Sequence, residues 1–244
     1  MATYEHPSYH YNGAGHALSG EFVRPVKYTI ETQAAVSLPL AGGHGRAHVE
    51  NFEIPHLVSM ANGYSHVSGD VDSTDKHTSQ STVVVERLNI LDVLTADRVV
   101  ARLTSEHDPK NKEGHVITLG TKLENLRISG YPVEVEFDHS FFLNRATFDE
   151  LSKNVAELKK SGRMAQESHG VILCSLVKSL KVGSPDVQVK GHVITVPHFG
   201  KIFVGEMLVE PGSKKITLLR VDLGSPHQAS LAVAQAHTNG RTWP

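Results

Sequence analysis

Histidine stands out for its chemistry, because the chain of 244 residues carries 16 of them. Imidazole nitrogens are common ligands of divalent metals, so this composition raises the hypothesis of a metal-dependent enzyme with a divalent ion as its cofactor. His6, His10 and His16 lie in one amino-terminal segment and would converge on an ion only if that segment folds back on itself. Glu5 is the acidic residue of the segment, so few further ligands stand beside these three.

His44 and His48 form a second pair of candidate metal ligands, four residues apart. This spacing places two imidazoles on one face of a helix, but the glycines at positions 42, 43 and 45 argue against a helix here. In a strand the two histidines share a face and are too far apart to bind one ion. The pair therefore adds little to the metal hypothesis.

An acidic strand face is predicted further along the chain. Glu134, Glu136 and Asp138 alternate with apolar residues, as in a strand whose opposite face is buried. Such a face could bind a cation or a basic partner. The alternative is an ordinary solvated face.

Aromatic residues suggest a different function, the binding of a small ligand in the mouth of a barrel. The candidate lining residues are Tyr9, Tyr11, Tyr64 and Trp243. This hypothesis ranks behind the others.

The sequence lacks the local motifs by which nucleophilic and phosphate chemistry are recognised, including G-x-S-x-G, G-x-x-x-x-G-K-[ST], G-x-G-x-x-G, H-E-x-x-H and C-x-x-C. The single cysteine, Cys174, lies in an apolar run and is predicted to be a buried structural thiol. Catalysis therefore has no support from motifs, and a non-catalytic protein is favoured.

The charge balance indicates no attraction to nucleic acid or anionic lipid, since the net charge is −2 and the isoelectric point is near 6.8. No run of 18 apolar residues occurs, so neither a nucleic acid nor a membrane is expected as a partner. No secretory leader begins the sequence, which predicts a cytoplasmic location, or a secreted or surface location if a leader has been removed.

An internal repeat organises the middle of the chain. The apolar positions of segment 49–58 recur in segment 85–94, and a weaker copy begins at Leu123. Repeats of this period are typical of supersecondary units that stack or lie side by side. Each unit is interpreted as a strand, a corner and a second strand.

The predicted fold is therefore mainly β, with repeated strand units in a sandwich or barrel and a short β-solenoid as the alternative. One capping helix is predicted near residues 147–161, because Thr147 and Glu150 form a capping box and Phe148, Leu151, Val155 and Leu158 share a face. Residues 1–17 are predicted to be an irregular arm rich in tyrosine and histidine. Residues 18–235 are predicted to form a single β-rich domain, and residues 236–244 are predicted to form an extended tail.

The cadence of short β units resembles the choice-of-anchor P family of bacterial surface and secreted proteins. It is carried by Leu88-Asn89-Ile90-Leu91-Asp92-Val93-Leu94-Thr95-Ala96-Asp97-Arg98-Val99 and, less closely, by Val49-Glu50-Asn51-Phe52-Glu53-Ile54. The resemblance covers roughly residues 18–137. It implies a β fold and a surface location, and it assigns no catalytic residues.

These observations favour a non-catalytic structural or interaction protein, a repeat-built β domain that self-associates as a homo-oligomer. The metal-dependent enzyme and the small-ligand-binding module remain the alternatives.

Overall fold

The computed structural model describes residues 9–108, 114–142, 145, 147–160 and 165–242. Strands make up most of this part of the chain, and one helix, α1, spans Phe148–Lys160. The strands in chain order are β1 Tyr9–Phe22, β2 Tyr28–Gln33, β3 Val36–Ser37, β4 Gly43–Ile54, β5 Val58–Val71, β6 His77–Ile90, β7 Leu94–His107, β8 His115–Ile117, β9 Lys122–Glu124, β10 Arg127–Ile128, β11 Tyr131–Phe137, β12 Ala165–Ser168, β13 Val171–Ser175, β14 Val177–Val182, β15 Gln188–Lys190, β16 Val193–Val196, β17 Gly200–Glu210, β18 Ser213–Leu223 and β19 Ala229–Thr242.

The strands form two antiparallel sheets. The first sheet runs β12-β13-β17-β18-β19-β1-β2, with β3 beside β1 and the β15–β16 hairpin beside β17. The second runs β14-β11-β10-β7-β6-β5-β4, with β8 and β9 beside β7. Within the described residues neither sheet closes into a barrel. The prediction of a mainly β sandwich with one helix is confirmed.

The core lies where β1 and β19 of the first sheet cross β5, β6 and β7 of the second. Period-two alternation sends every second side chain of these strands inward. Val99, Ala101 and Leu103 of β7 are fully buried, as their spacing predicts, and they share one apolar cluster with Leu18 and Val233 of the facing sheet. Cys174 is also fully buried, which confirms its interpretation as a core residue.

The three segments with matching apolar patterns all lie at hairpins. Segment 49–58 spans the β4–β5 turn, segment 85–94 spans the β6–β7 turn, and the copy from Leu123 spans the β10–β11 turn. Asn51, Arg87 and Asn125, which occupy equivalent positions, all have a positive φ, between 50° and 52°.

Helix α1 begins with the predicted capping box. The backbone N–H of Glu150 donates to Thr147 Oγ1 at 3.3 Å, and the N–H of Thr147 donates to Glu150 Oε2 at 3.1 Å. Leu151, Val155 and Leu158 are buried, and the helix packs against β12 and β13. No helix among the described residues is long and apolar enough to cross a membrane.

Both predicted irregular ends are wrong where the structure describes them. Residues 9–17 belong to β1, which pairs with β19 from Tyr9 opposite Thr242 to Phe22 opposite Ala229. The glycines of this segment serve packing, since a Cβ atom at Gly15 would lie 2.7 Å from Val83 Cγ2 of the facing sheet. Residues 236–242 continue β19, which pairs with β1 as far as Thr242 and with β18 as far as Thr238. Residues 1–8, including His6, lie outside the described part of the chain.

Candidate functional site

Two tyrosines and two histidines meet between the sheets at one end of the sandwich. Tyr9 and Tyr11 lie on β1, while His77 begins β6 and His107 ends β7, where the two histidines are direct register partners. The ring of Tyr9 stacks on His77 with centroids 3.9 Å apart and planes 8° apart. Its centroid lies 5.2 Å from that of His107, and Tyr11 meets it edge-on at 4.8 Å. We call these four side chains the Tyr–His cluster.

Glycines make room for the tyrosine rings. A Cβ atom at Gly69 of β5 would lie 2.7 Å from Tyr11 Cδ1, and one at Gly240 of β19 would lie 2.0 Å from the Tyr9 hydroxyl. Because no larger residue fits beside the rings as placed, glycine is required at these two positions of β5 and β19. Their glycines are part of the site.

The cluster is electrically neutral near pH 7. Burial lowers the pKa of His77 and of His107, and for His107 the neighbouring imidazole and the Lys214 ammonium act in the same direction. Burial also raises the pKa of Tyr9 and of Tyr11. Neutral imidazoles and phenols stack and exchange hydrogen bonds, so the cluster offers polar contacts without a net charge.

Two polar atoms of the cluster are buried without a hydrogen-bond partner among the described residues, the Tyr9 hydroxyl and Nδ1 of His107. His107 is only 3% exposed. Such atoms are uncommon in protein interiors, and each needs an explanation. Their presence beside stacked aromatic rings makes this end of the sandwich a candidate binding site.

Two surface depressions flank the cluster. The first has a volume of about 500 Å³, and its lining includes Tyr9, Tyr11, His44, Asp70 and His77. The second has a volume of about 510 Å³, and its lining includes His10, Tyr11, Leu40 and Asn239. The structure thus brings together Tyr9 and Tyr11 as a lining, and it places His10 and His44 beside them.

The histidines predicted as metal ligands do not otherwise converge. His10 and His16 lie six residues apart on the extended β1, about 20 Å from one another. His44 and His48 lie on the exposed face of β4, about 13 Å apart, as a strand dictates. Within the described residues, no group of three histidine, cysteine, aspartate or glutamate side chains is placed to bind a metal ion.

His16 and His48 have other partners. Nε2 of His16 lies 2.9 Å from the Ser19 hydroxyl, and burial together with the Lys215 ammonium lowers the pKa of His16. Nδ1 of His48 lies 3.6 Å from the carboxylate of Glu50. Each imidazole therefore has a local structural contact.

Glu134 and Glu136 of the predicted acidic face lie on β11 opposite residues of β14, and Asp138 directly follows β11. Glu136 accepts a hydrogen bond from Lys178 Nζ at 2.6 Å, and hydrogen bonds from Lys178 and Ser179 lower the pKa of Glu136. Glu134 is the register partner of Lys181. The carboxylate of Asp138 accepts hydrogen bonds from the backbone and the hydroxyl of Ser140. Glu136 is therefore already paired with a lysine, and Asp138 is already bonded within its own turn.

The two remaining aromatic candidates do not belong to the Tyr–His cluster. Tyr64 lies on the outer face of the second sheet, where Arg98 Nη2 donates to its hydroxyl at 2.9 Å and its hydroxyl donates to Glu86 Oε1 at 3.3 Å. Trp243 lies outside the described residues. Since neither sheet closes into a barrel in the described part of the chain, the ligand-lining hypothesis narrows to Tyr9 and Tyr11.

A buried ionic group on the first sheet is absent from the sequence predictions. Arg220 donates to Glu206 from Nε at 2.8 Å and from Nη2 at 3.1 Å, and Nε2 of His192 lies 3.3 Å from the same carboxylate. Burial by itself raises the pKa of Glu206, but hydrogen bonds from His192 and Arg220 outweigh it and hold that pKa below its usual value. Arg220 also stacks over Phe203 with its Cζ 3.6 Å from the ring centroid. One sequence signal exists, a carboxylate at Glu206 between apolar residues in the middle of β17.

Comparison with known protein families places most of the chain in a described family. Residues 9–162 and 155–210 match the profile of a family described as a domain of unknown function, DUF8256. No curated protein and no solved structure matches the chain. The matched residues cover most of the sequence, and the chain belongs to the DUF8256 family.

Proposed function

We propose that this protein is a non-catalytic interaction protein, a β-sandwich that self-associates through the open edge of its second sheet. The observation that carries the proposal is the position of β4. In the described part of the chain, this twelve-residue strand ends the second sheet and pairs only with β5. Among the described residues, no backbone hydrogen bond joins residues 43–53 to any segment other than β5.

An open edge strand presents a row of N–H and C=O groups that can pair with another chain. Natural proteins shorten such edges, place proline in them or cover them. Strand β4 has no proline and is about 40 Å long. The strands at the other ends of the two main strand orders, β2, β12 and β14, have six, four and six residues. Strand β4 is therefore the edge best suited to pair with a second chain.

The proposal extends to the internal repeat. We interpret the hairpins β4–β5, β6–β7 and β10–β11 as copies of one unit. Their matching apolar positions and the shared positive φ of Asn51, Arg87 and Asn125 support this interpretation. In that view β4 is the free outer strand of the first unit, and a second copy of the protein would continue the series.

Sedimentation velocity and light scattering over a wide concentration range test self-association. We expect a species heavier than the 26.6 kDa chain that dissociates on dilution. A species of 26.6 kDa at every concentration would refute the proposal. Negative-stain electron microscopy of the same samples separates discrete oligomers from filaments.

Two proline variants test the edge itself, Ala47→Pro and His48→Pro. Neighbouring residues of an edge strand direct their N–H groups to opposite sides, one toward β5 and one toward the open edge. One variant should therefore keep its fold, as judged by circular dichroism, and lose self-association. If the folded variant associates as strongly as the unmodified protein, the contact lies elsewhere.

The Tyr–His cluster favours a second candidate function, the binding of a small neutral polar ligand. The flanking depression of about 500 Å³ and the two buried atoms without partners support this candidate. A thermal-shift screen of neutral polar compounds, repeated on Tyr9→Phe, would test it. Divalent metals added to the same assay would test the metal hypothesis, because a specifically bound ion raises the melting temperature.

A further inference from the structure

We infer that two copies pair antiparallel through β4 about a twofold axis at His48, joining their second sheets into one continuous sheet. The inference rests on the proposed self-association and specifies its partner, its register and its symmetry. It follows from the order of charges along the exposed face of β4.

Three exposed side chains at alternating sequence positions determine the expected register of the two strands. Arg46, His48 and Glu50 share the outward face of β4, with a half-buried alanine and valine between them. In an antiparallel pair centred on His48, Arg46 of each copy lies directly opposite Glu50 of the other. Opposite charges at directly facing positions stabilise a pair of strands, and like charges destabilise it.

Neighbouring symmetric registers lack this complementarity. Centring the pair on Arg46 or on Glu50 places two like charges directly opposite each other. Centring it on Ala47 leaves Arg46 opposite a histidine. Of these registers, the one centred on His48 gives both Arg46 and Glu50 an oppositely charged partner, and it gives each of them twice.

The inner face of β4 fits the same register. Ala47 of one copy then lies opposite Val49 of the other, and both side chains are already half-buried against the core. Pairing would cover them further with apolar neighbours of similar size. A twofold contact of this kind is closed, because each copy uses the same surface. The expected assembly is a dimer, and filaments are not expected.

Charge reversal tests the register. Arg46→Glu alone and Glu50→Arg alone each place like charges at both symmetric positions, and each should weaken dimerisation roughly tenfold. The double variant Arg46→Glu/Glu50→Arg restores opposite charges and should recover the affinity. An equimolar mixture of the two single variants should form a heterodimer more readily than either forms a homodimer.

Cross-linking tests the symmetry axis directly. His48→Cys places two thiols on facing residues, whose Cα atoms in an antiparallel pair are about 4.5 to 5.5 Å apart, within the range of a disulfide. Oxidation should give a covalent dimer in high yield. His66→Cys, at an exposed position on β5, is the matched control, and the buried Cys174 does not compete.

The outcomes separate the inference from the proposed function. A protein that stays monomeric at every concentration refutes both. The register alone is refuted if the protein self-associates, its single charge variants bind as tightly as the unmodified chain, and the His48→Cys variant cross-links no better than the His66→Cys variant.

Discussion

The hydroxyl of Tyr11 lies 2.8 Å from Nδ1 of His77, and this contact joins the first sheet to the second across 66 residues of sequence. The variant Tyr11→Phe keeps the ring and removes the hydrogen bond. We expect it to lower the free energy of unfolding by about 1 kcal/mol, the usual cost of a lost partner at a partly buried site. Urea unfolding measures this loss. Tyr28→Phe is the control, because Tyr28 on β2 is 50% exposed, and it should leave the free energy of unfolding unchanged. Equal losses at both positions would show that the Tyr11 contact has no role in stability.

Acidification should destabilise the protein before its carboxylates titrate. Burial holds the pKa of His77 and of His107 below the usual value of about 6.5, so the unfolded chain takes up protons that the folded chain does not. The free energy of unfolding should therefore fall as the pH decreases below about 6.5. Urea unfolding at a series of pH values measures the slope.

The double variant His77→Gln/His107→Gln should show a smaller slope over the same pH range. His16 and His237 keep part of the effect, because burial lowers the pKa of each of them as well. A wild-type stability that is constant or increases as the pH falls from about 7 to about 5 would mean that these imidazoles are protonated in the folded protein.

The sequence was sufficient to predict elements whose pattern is local. The apolar run around Cys174 was sufficient to place this residue in the core. The capping box located the start of α1. In each case residues within a few positions of one another determine the conformation.

Residues 9–17 of β1 and 236–242 of β19 escaped prediction because the interior they face is unusual. At this end the inward residues of β1 are Tyr9, Tyr11, Gly13 and Gly15, which do not alternate in hydrophobicity with their neighbours as core residues normally do. Glycine is required here because the facing sheet approaches closely, and its frequency resembles that of a loop. The contact between Tyr11 and His77 depends on sheet packing, which local patterns do not encode.

The amino-terminal cap of α1 should contribute measurably to stability. Thr147→Ala removes the hydroxyl that accepts from the N–H of Glu150 and should cost about 1 kcal/mol in the free energy of unfolding. Thr147→Ser retains a capping hydroxyl and is the matched control. Thermal unfolding of both variants checks the expectation, and equal melting temperatures would show that the cap contributes little to this helix.

The buried carboxylate of Glu206 should depend on Arg220. In Arg220→Met the carboxylate keeps only His192 of these two partners, and a buried charge that loses its cation typically costs about 3 kcal/mol. Urea unfolding at neutral pH measures the loss. Below about pH 4.5 the difference from the unmodified protein should narrow, since protonation removes the unpaired charge that burial penalises.

Two further variants show whether burial of the charge is the cause. Glu206→Leu combined with Arg220→Met removes both charges and should be less destabilised than Arg220→Met alone. Lys178→Met removes a cation from the exposed pair with Glu136, whose side chains are 57% and 54% exposed, and should cost less than about 1 kcal/mol. Equal losses in the Lys178 and Arg220 variants would show that low solvent exposure does not make the Glu206–Arg220 pair important. The stacking of Arg220 on Phe203 would then better explain the loss of stability in Arg220→Met.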